Sequence, residues 1–265
     1  MGREGECSLR VSASNVMRRA AVISLWIGLW LSAPVLAASV TLHPNGNLVV
    51  FEGRIEPGDF EKVEKLAREA SPTGIYLASP GGNVAVAMRI GALVRRLAWE
   101  TKSAEGRSVP MNMRDSVAIA YGVKDPQQNN QCTSACFLIF ISGIYRDGHG
   151  LGIHRPYMSA ADQERLGPED QAKAVNGVRA VVEYFVRRMG VPSRYVEEMY
   201  AMPSDRMRWI TDEEIEADFR GFVPQVREWV KSQCGDEAET LRCKENVMTG
   251  IKIRALEQNA KAPSP

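Results

Sequence analysis

Short apolar runs alternate along the chain with longer segments whose apolar residues recur every three or four positions. Residues 39–43 and 48–53 are short β-rich runs separated by a turn that contains Asn45-Gly46. Asn-Gly between two extended runs is a strong hairpin signal, so the pattern predicts two paired strands.

A helix, a buried strand and a second helix are predicted next. Phe60, Val63 and Leu66 recur at helical spacing after Asp59, a residue type that caps helices. Residues 74–78 predict a short buried strand, and 83–97 predicts a half-buried helix. The order of these elements, β-α-β-α, predicts an α/β fold.

Residues 104–131 interrupt this pattern with polar sequence that includes Pro110 and a run of glutamine and asparagine. We expect an insertion loop here, mobile over the next element. A strongly apolar run at 134–141 and a short strand at 151–154 follow. A helix is predicted from 167 to 190, because it begins with proline and with acidic residues at the positive end of the helix dipole.

The carboxyl-terminal part is predicted to be helical. One helix is expected from Pro192 to about Met202 and a short one after Thr211, which can cap it. We therefore expect one α/β domain over 38–223 and a charged helical extension over 224–265.

The amino-terminal residues 1–37 predict a cleaved signal peptide. Arginines precede an apolar run at 20–31, and Val35 and Ala37 are small enough for signal peptidase. The run is shorter than the roughly 20 residues that cross a bilayer. We expect cleavage after Ala37, or after Ala38, and a periplasmic protein.

Charge excludes one class of partner. The chain has 33 lysines and arginines against 32 aspartates and glutamates, and they form no clustered basic stripe. A nucleic-acid surface is therefore not expected.

Four cysteines follow the predicted signal peptide: Cys132, Cys136, Cys234 and Cys243. An even number in an oxidising compartment predicts two disulfides, with three connectivities open. We favour the local pairs Cys132–Cys136 and Cys234–Cys243. Two residues four apart on a helix have their Cα atoms about 6 Å from each other, which is within disulfide reach.

Ser134 opens the apolar run at 134–141 and is a candidate nucleophile. A serine at a helix start lies in a positive field, and the amide of the next residue is free to receive an oxyanion. Taken alone, Ser134 is better explained as a helix cap.

His154 and the turn Ser79-Pro80-Gly81-Gly82 carry the other two signals. A histidine at a strand end beside such a serine can act as a general base, although an isolated histidine is more often packed or exposed. Consecutive glycines after a strand allow a close backbone approach and an anion-binding nest, although a plain turn has the same composition.

The order and spacing of these features resemble the Clp protease proteolytic subunit family, and more loosely signal peptide peptidase A and the crotonase fold. In that family a strand enters a Ser-Pro-Gly-Gly turn, as 75–82 does here. Its serine begins a helix with glycine nine residues later, as Ser134 precedes Gly143. Its histidine is trailed by one residue and a proline, as His154 is. The resemblance covers about residues 48–223.

This resemblance implies a ClpP/crotonase-like spiral of β-β-α units and a serine peptidase or other acyl hydrolase. Ser134 would attack and His154 would be its base. The oxyanion hole is expected from backbone amides, namely those of Gly81 or Gly82 and of Ala135. The resemblance implies a peptide or protein substrate, no cofactor and assembly into a homo-oligomer. No ATPase partner is expected, because the family's docking features have no counterpart here.

The third catalytic residue does not follow directly from the resemblance. Aligning the segment around Trp209 puts Met207 where the family has its aspartate, and Asp205 lies two residues upstream. We expect Asp205 to be the acid that fixes the histidine tautomer.

Two other interpretations stay open. The chain can be an inactive relative that uses this fold for binding or scaffolding in the cell envelope. Alternatively, Cys132, Cys136 and His154 are a type of set that holds zinc, although oxidation in an exported protein would remove the thiols. An ordinary α/β-hydrolase is disfavoured because no G-x-S-x-G motif is present.

Overall fold

A computed structural model describes residues 38–105, 110–158, 160–234, 246 and 249–251. The predicted signal peptide, 1–37, lies outside the described residues. Nine strands are described: β1 Ser39–Leu42, β2 Leu48–Glu52, β3 Gly74–Ala78, β4 Glu100–Ser103, β5 Cys132–Thr133, β6 Tyr145–Asp147, β7 Leu151–Ile153, β8 Arg208–Trp209 and β9 Gly221–Phe222.

The helices surround these strands. They are α1 Asp59–Ala70, α2 Val84–Arg96, α3 Met111–Ala120, α4 Pro126–Asn129, α5 Ala135–Phe140, α6 Ala160–Arg165, α7 Pro168–Arg188, α8 Arg194–Ala201, α9 Asp212–Glu214 and α10 Pro224–Cys234. A π-helical turn, Ile215–Phe219, continues α9. In the described part of the chain, no helix is both long enough and apolar enough to span a bilayer.

The strands form two sheets. The larger has the order β1-β2-β3-β4-β6-β9, with parallel pairing from β2 to β6 and antiparallel strands at both edges. The smaller has the order β5-β7-β8. The predicted hairpin is confirmed as β1 and β2, with Ser39 opposite Glu52. The α/β class is confirmed as well, because helices α1 and α2 connect the parallel strands β2, β3 and β4.

The central helix α5 is buried along its whole length. Every residue from Ala135 to Phe140 is buried, and α2 packs against it. The main core contains both helices and one face of β2 and β3, namely Val49, Phe51, Ile75 and Leu77. A helix with no polar face is expected only in a protein interior. The start of α5, at Ala135, is therefore packed on all sides.

The segment 104–131 differs from the predicted loop, because it contains α3 and α4. Ala118 and Val123 pack against Val50 and Tyr76 on the far face of the large sheet. The buried carboxylate of Glu52 accepts hydrogen bonds from the backbone of 124–125 and from a side chain of α4. These contacts come from distant parts of the sequence, which is why the local pattern indicated a loop.

Candidate active site

Three segments end at the same edge of the small sheet. Strand β5 pairs in parallel with β7, and Ser79 forms a parallel bridge to Cys132 of β5. Because parallel segments end on the same side, the residues that follow them meet there. This topology brings the Ser134 start of α5, the glycine turn after Ser79 and His154 to one edge.

Ser134 has an unusual backbone conformation, with φ 56° and ψ −124°. A residue other than glycine at positive φ is strained by about 1–3 kcal/mol, and such residues cluster at active sites. Its side chain makes no capping hydrogen bond to α5, although Ser134 holds the cap position. The simple explanation of Ser134 as a helix cap therefore fails, and its half-buried hydroxyl is left for another role.

Two backbone amides beside Ser134 have no hydrogen-bond partner among the described residues: those of Gly82 and Ala135. The amide of Gly81, by contrast, donates to Ser79 Oγ at 3.1 Å. Of the predicted oxyanion-hole amides, Gly82 and Ala135 are the two that remain available to a ligand. Unpaired N–H groups at a helix start are the type of donor that stabilises a developing oxyanion.

His154 is almost fully buried, with 7% of its surface exposed. Its Nδ1 lies 2.9 Å from the backbone carbonyl oxygen of Arg155. A carbonyl only accepts hydrogen bonds, so Nδ1 carries the proton and donates it in this bond. In the neutral imidazole with this tautomer, Nε2 is the unprotonated nitrogen, which is the form that a general base requires.

Ser134 and His154 each directly follow one of two neighbouring strands, β5 and β7. Ser134 N donates to Gly152 O at 2.8 Å, which aligns Ser134 with Ile153, the residue before His154. The backbones of Ser134 and His154 therefore lie on neighbouring segments, which are about 4.8 Å apart in a sheet, and are offset by one residue. Within the described residues, no hydrogen bond joins Ser134 Oγ to the imidazole. Such bonds are often long in empty sites.

Asp205 lies in an exposed turn between α8 and β8. In the described part of the chain, its carboxylate makes no hydrogen bond or ion pair with His154. Ile153 pairs with Arg208, so continuing the antiparallel register places Met207 opposite His154. Asp205 as the acid stays a prediction, and the partner that His154 Nδ1 has here is the Arg155 carbonyl.

The contact of His154 Nδ1 with the Arg155 carbonyl is one that the sequence reasoning missed. The backbone N–H of Arg155 donates to Met202 O at 3.0 Å, which holds the peptide unit that precedes this carbonyl. The available signal was Pro156, because a residue before proline is confined to extended conformations and its carbonyl direction is restricted with it.

A disulfide joins Cys132 of β5 to Cys136 of α5, with the Cα atoms 5.1 Å apart. This confirms the predicted bridge, although the two cysteines are connected across a strand-to-helix turn and not along one helix. The bonded sulfurs are not thiolates, so the alternative zinc site loses two of its ligands. No group of three or more ligating residues suited to a metal occurs among the described residues.

The second predicted bridge is described in part. Cys234 is disulfide-bonded. Its predicted partner, Cys243, lies outside the described residues, so the pairing stays a prediction.

An open cleft of about 410 Å³ lies in front of Ser134 and Gly82. On one wall, Arg54 Nη2 donates to the Tyr157 hydroxyl at 3.1 Å, and the Tyr157 ring stacks on His154 with centroids 6.4 Å apart. The pKa of Arg54 is raised above its ordinary value, mainly by the hydrogen bond to Tyr157. The cleft is large enough for a short extended segment, and Gly82 and Ser134 border it.

Comparison with known proteins finds distant likenesses in structure only. No family model and no curated protein sequence matches the chain. Among solved structures, the chain is similar to a mutant of ClpP1 from Listeria monocytogenes, with 16% identity and a TM-score of 0.43 over 65% of this chain and 87% of that one. It is also similar to a mutant of the 1510-N membrane-bound stomatin-specific protease, with 16% identity and a TM-score of 0.40 over 71% of this chain and 83% of that one. Likenesses this distant decide nothing about chemistry, which depends on the geometry around Ser134.

Proposed function

We propose that this protein is a serine hydrolase that cleaves peptide or protein substrates, with Ser134 as its nucleophile. The observation that carries the proposal is the strained, uncapped Ser134 between two unpaired amides. Strain at a buried helix start is costly and serves no structural purpose that the surrounding contacts reveal.

In this mechanism, Ser134 Oγ attacks a substrate carbonyl as His154 Nε2 takes its proton. The oxyanion that forms is held by the amides of Gly82 and Ala135. His154 then protonates the leaving amine, and the acyl group stays on Ser134. A water molecule, deprotonated by the same nitrogen, attacks the acyl-enzyme and restores the hydroxyl.

The carbonyl of Arg155 takes the place of an acidic residue in this account. It holds the Nδ1 proton, so that Nε2 faces the reaction. A neutral carbonyl stabilises the imidazolium less than a carboxylate does, because hydrogen bonds to charged groups are stronger. A slower enzyme than one with a full triad is therefore expected.

Hydrolysis of an unfolded protein such as casein, and of short fluorogenic peptides, tests the proposal. We expect Ser134→Ala to reduce turnover about 10³-fold or more. Ser116→Ala is the matched control, because that serine lies on the exposed helix α3 and bonds only within it. Equal turnover in the wild type and Ser134→Ala would overturn the proposal.

A second function, binding without catalysis, is favoured by one observation. Within the described residues, Ser134 Oγ and His154 are not hydrogen-bonded to each other, and binding a segment in the cleft does not need that bond. Under this alternative, the cleft holds a protein segment without cleaving it. Peptide binding that is unaffected by Ser134→Ala, with no turnover in either protein, would favour it.

We also propose that the protein is exported to the periplasm. The buried Cys132–Cys136 bridge supports an oxidising compartment. Amino-terminal sequencing of the exported protein is expected to begin at Ala38 or Ser39. An intact amino terminus in the membrane fraction would contradict export by a cleaved signal.

A further inference from the structure

Helix α7 leaves one of its faces without a partner in the described part of the chain. The fully buried residues of this helix, Val182 and Val186, lie near its carboxyl end. On the same two turns, the apolar side chains of Val181 and Tyr184 are 52% and 54% exposed. A group of exposed apolar side chains on one face usually marks an interaction surface.

Six residues form a single row along this face. Their spacing alternates between four and three positions, which is the spacing of residues on one side of an α-helix. None of them is buried. We call them the outer row of α7: Asp170, Ala174, Gly177, Val181, Tyr184 and Arg188.

The outer row is complementary to its own reversed copy. Its two ends carry opposite charges, Asp170 and Arg188, which are 18 residues apart, or five helical turns and about 27 Å. An antiparallel second copy therefore puts Asp170 beside the partner's Arg188. The same relation puts Ala174 beside the partner's Tyr184 and Gly177 beside the partner's Val181, so each small residue meets a large one.

The charges at the ends of the row are available to a partner. Asp170 and Arg188 form no ion pair within the described residues. Arg188 Nη1 donates to the neutral Tyr184 hydroxyl at 3.2 Å, which leaves the guanidinium charge uncompensated. A surface made for another protein has no reason to match its own reversed sequence in charge and in size, whereas a two-fold interface requires that match.

Gly177 lies close to the middle of the row. A glycine inside a helix costs about 1 kcal/mol relative to alanine, so its presence calls for a reason. A Cβ atom on Gly177 would meet nothing within 4 Å, so no contact inside this chain explains the glycine. Close approach of a second helix does explain it, because the distance between packed helices depends on the side chains at their contact.

We propose that the outer row of α7 binds the outer row of a second copy of this chain, antiparallel, about a two-fold axis level with residue 179. Each contact then occurs twice, as in any two-fold dimer. The inference is independent of the hydrolase proposal, and its test does not use turnover.

Sedimentation equilibrium of the purified protein, up to about 500 μM so that weak interfaces are covered, tests the pairing. We expect a dimer that dissociates on dilution. Asp170→Arg and Arg188→Asp should each raise the dissociation constant about tenfold or more, because each variant creates two like-charge contacts. The double variant restores both ion pairs with reversed sign and should return to within about threefold of the wild type.

This rescue separates a lost interface from a lost fold. A wild type that stays monomeric at every concentration would overturn the proposal. So would a dimer that neither single charge reversal weakens, or a double variant that is as weak as the single ones.

Gly177→Leu tests the close approach. It should weaken the dimer about tenfold or more, because the new side chain separates the two rows. Its Tm is not expected to fall in dilute solution, since the monomer has open space at this position. Ala172→Leu is the matched control, because that exposed residue lies about 140° around the helix from Gly177. Equal dimerisation of the two leucine variants would contradict the proposed interface.

Discussion

Gly81 lies so close to Ser134 that a Cβ atom on Gly81 would stand 2.7 Å from the Cβ of Ser134 and 3.0 Å from the amide nitrogen of Ala135. Atoms this near do not coexist, so any side chain at Gly81 would displace the serine or the oxyanion donor. The backbone of Gly81 is at φ +96°, which also favours glycine. The close approach of this turn to Ser134 is thus the structural reason for glycine here.

Gly81→Ala is expected to lower turnover at least about tenfold, because misplacement by an ångström has large effects on catalysis. Gly58→Ala is a matched control, since Gly58 has nearly the same backbone angle, φ +94°, and open space around a Cβ. Both variants carry the backbone strain, and Gly81→Ala should lose further stability in a thermal melt because its Cβ meets Ser134 and Ala135. Equal turnover in the two variants would contradict a role for the Gly81 contact.

The sequence predicts the order of the helices and strands and which segments lie at the candidate site. It does not predict features that depend on contacts between distant residues, such as the partner of His154. Ser134, His154 and the glycine turn come from motifs whose order along the chain reflects parallel strands. The alignment puts Met207 where the acid is expected, and choosing Asp205, two residues upstream, required a loop shift that the local sequence does not determine. A backbone carbonyl such as that of Arg155 is present in every residue, so the sequence does not mark it as a hydrogen-bond partner. Only the following proline restricts its direction, because it limits the backbone conformation of Arg155.

Asp205→Asn is expected to change turnover less than about threefold, because its carboxylate lies in an exposed turn and His154 Nδ1 bonds to Arg155 O. Kinetics on a fluorogenic peptide measure this, with His154→Ala as the reference for full loss. A fall of about 10⁴-fold, the effect of losing a triad acid, would show that Asp205 reaches His154 in the working enzyme.

Replacing both bridge cysteines, Cys132→Ala with Cys136→Ala, is expected to destabilise the protein by about 2 kcal/mol, since the closed loop is short. For a domain of this size, that corresponds to a fall in Tm of roughly 4–8 °C. Turnover should fall as well, because the bridge spans Ser134. An unchanged Tm in calorimetry would mean that the disulfide contributes nothing to the free energy of unfolding.

Glu214→Gln is expected to destabilise the protein near pH 7 by about 1–2 kcal/mol, because Glu214 accepts a hydrogen bond at 2.8 Å from Arg208 of β8. The bond to Arg208 lowers the pKa of Glu214 below 4.5. Its contribution is therefore complete above pH 4.5 and is lost as the pH falls through the lowered pKa. The difference from wild type should close once the pH is below that lowered pKa.

The control for the Glu214–Arg208 ion pair is Glu213→Gln, which removes the same charge from an exposed neighbour of Glu214. Denaturant unfolding over a series of pH values from 7 downward measures both variants. A Glu214→Gln effect that does not shrink at the acidic end of the series, or that equals the effect of Glu213→Gln, would rule out the ion pair as its cause.

Labelling with a fluorophosphonate probe tests the central claim most directly, because the probe reacts only with an activated serine. Oγ forms a bond to phosphorus and fluoride leaves, and mass spectrometry then locates the adduct. We predict one adduct per chain at Ser134, none in Ser134→Ala and much slower labelling in His154→Ala. No adduct on the folded wild-type protein, or an adduct that persists in Ser134→Ala, would contradict the assignment of Ser134 as the nucleophile.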